Sequence, residues 1–146
     1  MSNVERFSVL IVDDESTVRD LLVTLFQSEG YEVGAVGSAA VALASVLDQT
    51  FDAVLTDIRM PKDNGLDLLL RIKKYRPLLP VVLMTGDPAM ASLPETRELA
   101  AAVFVKPFPP HALLNLFREF RKYKKENHSS LGTKAAEAPR AKKIAG

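Results

Sequence analysis

Five short apolar runs recur along the chain, and between them the apolar residues change period. The runs are 7–12 (FSVLIV), 31–36 (YEVGAV), 52–57 (DAVLTD), 80–85 (PVVLMT) and 102–106 (AVFVK). Each has the length of a strand and the apolar content of one that is covered on both faces. Between the first two runs, Val18, Leu21, Leu22, Leu25 and Phe26 fall at the spacing of an amphipathic helix that stops at Gly30. Residues 41–47 and 66–72, and then Leu113, Leu116, Phe117 and Phe120, repeat that spacing. The segment 88–101 predicts a further helix of weaker periodicity, with two prolines in it. Strands alternating with helices in this way predict an α/β fold, a doubly wound parallel sheet with helices on both faces.

In such a sheet, ligands collect at the carboxyl ends of the strands. The residues at those ends are Asp13 and Asp14, Asp57, Thr85 and Lys106. Three carboxylates, a hydroxyl and an ammonium therefore share one rim. An acid after a strand often just caps the next helix. Two adjacent acids in a half-buried place instead point to a cation that neutralises them. Mg²⁺ suits one or two carboxylates plus waters and phosphate oxygens. A central Asp can then act as a nucleophile toward phosphorus, because carboxylates form aspartyl phosphates. Glu15 and Ser16 are left to start the helix.

Four segments together resemble the receiver domains of two-component response regulators: VDDE at 12–15, DIRMPKDNGLDLL at 57–69, MTGD at 84–87 and VKPF at 105–108. The resemblance covers roughly residues 7–123. It implies a flavodoxin-like fold with strand order 2-1-3-4-5 and five helices. It also implies that Asp57 is the phosphoacceptor, that Asp14 binds Mg²⁺ directly, and that Asp13 binds it largely through water. The backbone carbonyl of Arg59 is the third protein ligand, and Thr85 and Lys106 read and neutralise the phosphoryl group. Pro107 is expected to follow a cis peptide bond. Gly65 fits a turn into the third helix. Arg59 and Asp87 should meet at the mouth of the site. One departure matters: where the family usually carries an aromatic residue that swings inward on phosphorylation, this chain has Val103, and Phe104 should face the other way.

The implied partners are a sensor histidine kinase or phosphotransfer protein and an unidentified downstream protein. The receiver itself is expected to bind no nucleic acid, to insert into no membrane, and to be a monomer or a phosphorylation-dependent dimer. Its only catalysis would be its own phosphorylation and dephosphorylation. A phosphohydrolase of the haloacid dehalogenase type would want an acid two residues after its nucleophile, where this chain has Arg59. An FMN binder would want a Ser/Thr-rich loop where the acids stand.

Composition adds a division within the chain. Ten basic and fifteen acidic residues precede Arg118, whereas nine basic and three acidic residues run from there to Gly146. The expected organisation is a receiver over 1–125 and a flexible basic tail over 126–146. RKYKK at 121–125 reads as a solvated helix end, and His111 as exposed. With no Cys, there are no thiolate metal sites. The start, MSNVERF, is not a signal peptide, so the expected location is cytoplasmic. The segment after Tyr123 is too polar for a helix-turn-helix or ATPase module. The chain therefore reads as a stand-alone receiver or, alternatively, as the N-terminal receiver fragment of a larger transcriptional regulator.

Overall fold

The computed structural model describes residues 6–60 and 62–129. Five parallel strands form the main sheet: β1 (Ser8–Val12), β2 (Glu32–Val36), β3 (Ala53–Asp57), β6 (Val81–Thr85) and β7 (Ala102–Val105). They lie in the order β2-β1-β3-β6-β7, the expected 2-1-3-4-5. A two-residue antiparallel ribbon, β4 (Arg59–Met60) and β5 (Asp63–Asn64), follows β3. Alternation along β1 divides the core: Val9 and Ile11 face one apolar layer, Leu10 and Val12 the other.

The first layer is closed by α1 (Ser16–Ser28) and α6 (Pro110–Ser129). Its centre is aromatic, with the Phe26 and Phe117 rings 4.8 Å apart edge to face and Phe120 a further 5.3 Å from Phe117. Such pairs contribute about 0.5–1.5 kcal/mol each beyond the area they bury. The second layer takes Ala42 and Val46 from α2 (Ala39–Asp48) and Leu68, Leu69 and Ile72 from α3 (Gly65–Tyr75). Within the expected stripe on α1, Leu21 is 67% exposed. At roughly 100° per residue it lies about 140° round the helix from Phe26.

There are six helices among the described residues rather than five, because the fourth is broken into α4 (Pro88–Ala91) and α5 (Pro94–Leu99). Each piece has proline in its first turn. Pro94 offers no N–H to a continuing helix and holds Leu93 extended, at φ −65° and ψ 143°. Helix α6 also departs from expectation. It runs to Ser129, past residue 125, and two residues of its basic end, Arg121 and Lys124, are docked while Lys122 and Lys125 are exposed. Arg121 lies 4.1 Å from the centre of the Tyr31 ring and donates to the Glu29 carbonyl. Lys124 donates to the Arg6 carbonyl at 2.8 Å and pairs with Asp52 at 3.1 Å. The rest of the expected tail, 130–146, lies outside the described residues. No helix among the described residues is long and apolar enough to cross a membrane.

Candidate functional site

The carboxyl ends of β1, β3, β6 and β7 bring Asp13, Asp57, Thr85 and Lys106 to one edge of the sheet. Asp57 is the last residue of β3 and is nearly buried, at 7% exposure. Both of its oxygens are engaged: Oδ2 accepts from Lys106 Nζ at 2.9 Å and Oδ1 from the Arg59 amide at 3.1 Å. The backbone behind it is held by Gly65, whose amide donates to the Ile58 carbonyl at 2.8 Å. A Cβ at Gly65 would collide with the Asp57 carbonyl oxygen and stand 2.7 Å from Ile58 Cα. Glycine is needed there for close approach, not for an unusual backbone angle.

Asp13 is fully buried at the end of β1. Its amide donates to the Val36 carbonyl at 3.2 Å, and its carbonyl accepts from Arg19 Nη1 at 2.7 Å. Its Oδ1 accepts from the Glu15 amide at 2.9 Å, which leaves Oδ2 buried with no protein partner. Burial raises the Asp13 carboxyl above its usual range. The Glu15 amide and Lys106 pull the other way, while Asp57 and Asp14 add to the rise. Asp14, by contrast, is exposed. Glu15 stands before α1 without a side-chain capping bond, so the expected helix-start role is filled only by its backbone position.

Lys106 follows β7, its amide donating to the Thr85 carbonyl at 2.7 Å, and the bond to Pro107 is cis as expected. Burial lowers the affinity of the ammonium for its proton. The hydrogen bond and charge of Asp57, with Asp13 and Glu15 behind, outweigh that and hold it above the ordinary lysine value. Lys106 is thus a cation fixed on Asp57.

The buried Thr85 ends β6. Its hydroxyl accepts from the Asp87 amide at 3.0 Å and lies 3.4 Å from the Asp87 carbonyl, so it faces Asp87 rather than Asp57. Asp87 has two further ties, with Oδ1 capping α4 at Ala89 and Oδ2 paired with Arg59 at 3.0 Å. The expected meeting of Arg59 and Asp87 is therefore present, at the exposed mouth. Val103 packs against the α2–α3 layer, while Phe104 is buried in the opposite one, 5.0 Å from Phe108.

Sequence reasoning passed over Arg19 and the multiple ties of Asp87. Arg19 was detectable only as the residue seven before Phe26, and so on its face of α1. Among the described residues, no three His, Cys, Asp or Glu side chains are grouped so as to hold a metal alone. The buried, unpartnered Oδ2 of Asp13 is nonetheless a hard oxygen donor, and it stands in the electrostatic field of Asp57. Two carboxylates with waters are a sufficient protein set for Mg²⁺, so the residues fit that ion.

The family model described as the response regulator receiver domain matches residues 9–118. The DNA-binding transcriptional regulator NtrC of Bradyrhizobium sp. is 36% identical over 124 residues, covering 84% of this chain and 26% of that protein. The response regulator protein FleR of Pseudomonas aeruginosa is 39% identical over 109 residues, covering 74% and 23%. The chain thus spans about a quarter of the length of these curated relatives. Among solved structures, a CheY-like receiver domain protein of Methanospirillum hungatei matches with a TM-score of 0.75 and 30% identity, covering 84% of this chain and 99% of that one. The response regulator TrrA of Thermotoga maritima, solved in complex with Mg²⁺ and BeF, matches at 0.74 with 29% identity over 78% and 98%. The family match spans most of the sequence, and the fold and the order of rim residues agree with it: the chain belongs to the response regulator receiver domain family.

Proposed function

We propose that Asp57 accepts a phosphoryl group from a histidine kinase or phosphotransfer protein, with Mg²⁺ held by Asp13, Asp14, Asp57 and the Arg59 backbone carbonyl. Receiver domains as a family take phosphoryl groups from histidine kinases and generally bind Mg²⁺ at the phosphorylation site. The observation that carries the reading is the Asp57 carboxylate, fixed at one oxygen by Lys106 and at the other by the Arg59 amide. An oriented nucleophile with a cation against it is what phosphoryl transfer requires, since positioning and charge neutralisation supply most of the catalysis.

In the transfer, one Asp57 oxygen attacks phosphorus as the bond from phosphorus to the donor's imidazole nitrogen breaks, and the electron pair leaves with that nitrogen. Lys106 passes from the carboxylate to a phosphoryl oxygen. Thr85 turns its hydroxyl from Asp87 to another. Bound Mg²⁺ supplies positive charge to the phosphoryl oxygens. Asp13, its backbone and Oδ1 already tied, offers Oδ2 toward the metal. The exposed Arg59–Asp87 pair limits the approach of hydrolytic water.

The signal then passes by conformational change or by onward phosphotransfer to a downstream protein. The receiver acts chemically only on itself, in the cytoplasm, as a monomer or phosphorylation-dependent dimer without nucleic-acid contacts of its own. The receiver unit, expected over 1–125, carries α6 on to Ser129, and the basic sequence that follows is an extension of it. A second reading, an N-terminal receiver within a longer transcriptional regulator, is favoured by the span of about a quarter of the relatives' length.

Acetyl phosphate with Mg²⁺ should add one phosphoryl group, seen by intact mass. Asp57→Asn should take up none. Equal uptake by that variant would overturn the assignment.

A further inference from the structure

Three ties hold Asp13: one to Val36 at the end of β2, one to the neighbouring acid Glu15, and one to Arg19 on α1. Arg19 lies on the inward face of α1, seven residues before the buried Phe26, and is only partly exposed. Its Nη1 donates to the main-chain oxygen of Asp13 at 2.7 Å, the short distance of a charge-assisted bond. That oxygen belongs to the peptide unit joining Asp13 to Asp14. On the other side, the Asp13 amide is bound to the Val36 carbonyl. The next residue, Gly37, leaves the space that the guanidinium occupies: a Cβ there would stand 3.1 Å from Arg19 Nη1 and 3.9 Å from the Asp13 oxygen. The end of β2 and the inward face of α1 thus both hold the acidic turn, with the Arg19 guanidinium seated beside Gly37.

Two neighbouring carboxylates repel, and a free peptide between them would rotate to separate their charges. We infer that Arg19 is a positioning residue for this site: by locking the Asp13–Asp14 peptide, it holds the two carboxylates in one arrangement for Mg²⁺. Without the lock, the metal must pay the cost of gathering them. This inference rests on the proposed Mg²⁺-dependent phosphorylation of Asp57. The sign of the effect separates it from simple electrostatics. A guanidinium near the acidic pair repels a divalent cation, so removing it as a mere charge would tighten Mg²⁺ binding. Removing it as a lock weakens binding.

The test uses Arg19→Gln and Arg19→Met, neither of which supplies a guanidinium, with Arg19→Lys as the conservative variant. Mg²⁺ affinity is measured by amide-shift titration of the unphosphorylated protein, beside its urea stability in chelator. Phosphorylation by acetyl phosphate is followed as a function of Mg²⁺. The expected result is a five- to tenfold weaker Mg²⁺ affinity in Gln and Met, with partial recovery in Lys. The half-saturating Mg²⁺ should rise equally, while the rate at saturating Mg²⁺ stays within about twofold. Wild-type or tighter Mg²⁺ affinity in either folded variant lacking the guanidinium overturns the inference. So does a loss of stability with no change in affinity. If the wild type itself takes up no Mg²⁺-dependent phosphoryl group on Asp57, the functional reading fails instead, which is a separate outcome.

Discussion

Replacing Asp13 with asparagine should stabilise the metal-free protein while removing its response to Mg²⁺. The side chain is fully buried, Oδ1 holds the Glu15 amide, and Oδ2 has no protein donor. A buried acceptor left without a partner costs about 1–3 kcal/mol, and more when charged. Asp57 and Asp14 add repulsion, which the attraction of Lys106 partly offsets. Asparagine keeps the Oδ1 bond to Glu15 and removes the charge, so the net gain should be about 1–2 kcal/mol. For a domain of this size that is a rise of about 3–8 °C in Tm. The sign of the pH dependence follows from the raised carboxyl. The native state binds the Asp13 proton more tightly than the unfolded chain does, so the associated stability is present at low pH and lost as pH rises through the native value. The advantage of the variant therefore shrinks as the wild type protonates on acidification. Urea unfolding in chelator from pH 7 to 4, and again with Mg²⁺ present, measures all of this. Mg²⁺ should stabilise the wild type by mass action and the variant little. A variant less stable than wild type in chelator at pH 7, or one that keeps the full rise with Mg²⁺, would refute the reasoning.

Tyr31→Phe should leave stability unchanged or raise it by up to ~1 kcal/mol, because the buried hydroxyl has no partner while the ring contacts with Phe7, Phe26 and Arg121 survive; a loss above ~1 kcal/mol in urea would count against this. Arg59→Ala and Asp87→Ala should each speed dephosphorylation by no more than about fivefold, since an exposed pair is worth about 0–1 kcal/mol; unchanged decay in both would remove the pair from the kinetics. With Val103 in place of an aromatic ring, beryllofluoride should shift amides near the rim and leave most of residues 88–120 little changed. Large shifts throughout that range would show that Val103 does not blunt the switch.

The sheet was legible because burial on both faces requires apolar strands, and the acids, threonine and lysine follow those strands directly. Periodicity was less informative where one helix contains two prolines. Pro88 and Pro94 each suit the first turn of a helix, so a single weak pattern over 88–101 became two short helices. The basic run at 121–125 is exposed at Lys122 and Lys125 as expected, but the docking of Arg121 and Lys124 was hidden for another reason. Their partners, the carbonyls of Arg6 and Glu29 and the carboxylate of Asp52, are distant in sequence and were invisible to a local reading of charge. The rim residues could be named in advance, but not their individual states. Asp13 and Asp14 are adjacent, yet one is sealed and the other exposed, because only Asp13 is gripped by β2 and α1. Arg19 shared the helix face of Phe26, but its bond to a main-chain oxygen left no trace in the residue types.

The site chemistry is best tested at the acyl phosphate itself. After incubation with acetyl phosphate and Mg²⁺, borohydride reduces an aspartyl phosphate to homoserine, and tandem mass spectrometry of the peptides locates the converted residue. Homoserine should be found at position 57 and at no other acid, with the signal abolished when Mg²⁺ is chelated. Conversion at Asp13, Asp14 or another acid, with residue 57 intact, would contradict the assignment of Asp57 as the phosphoacceptor.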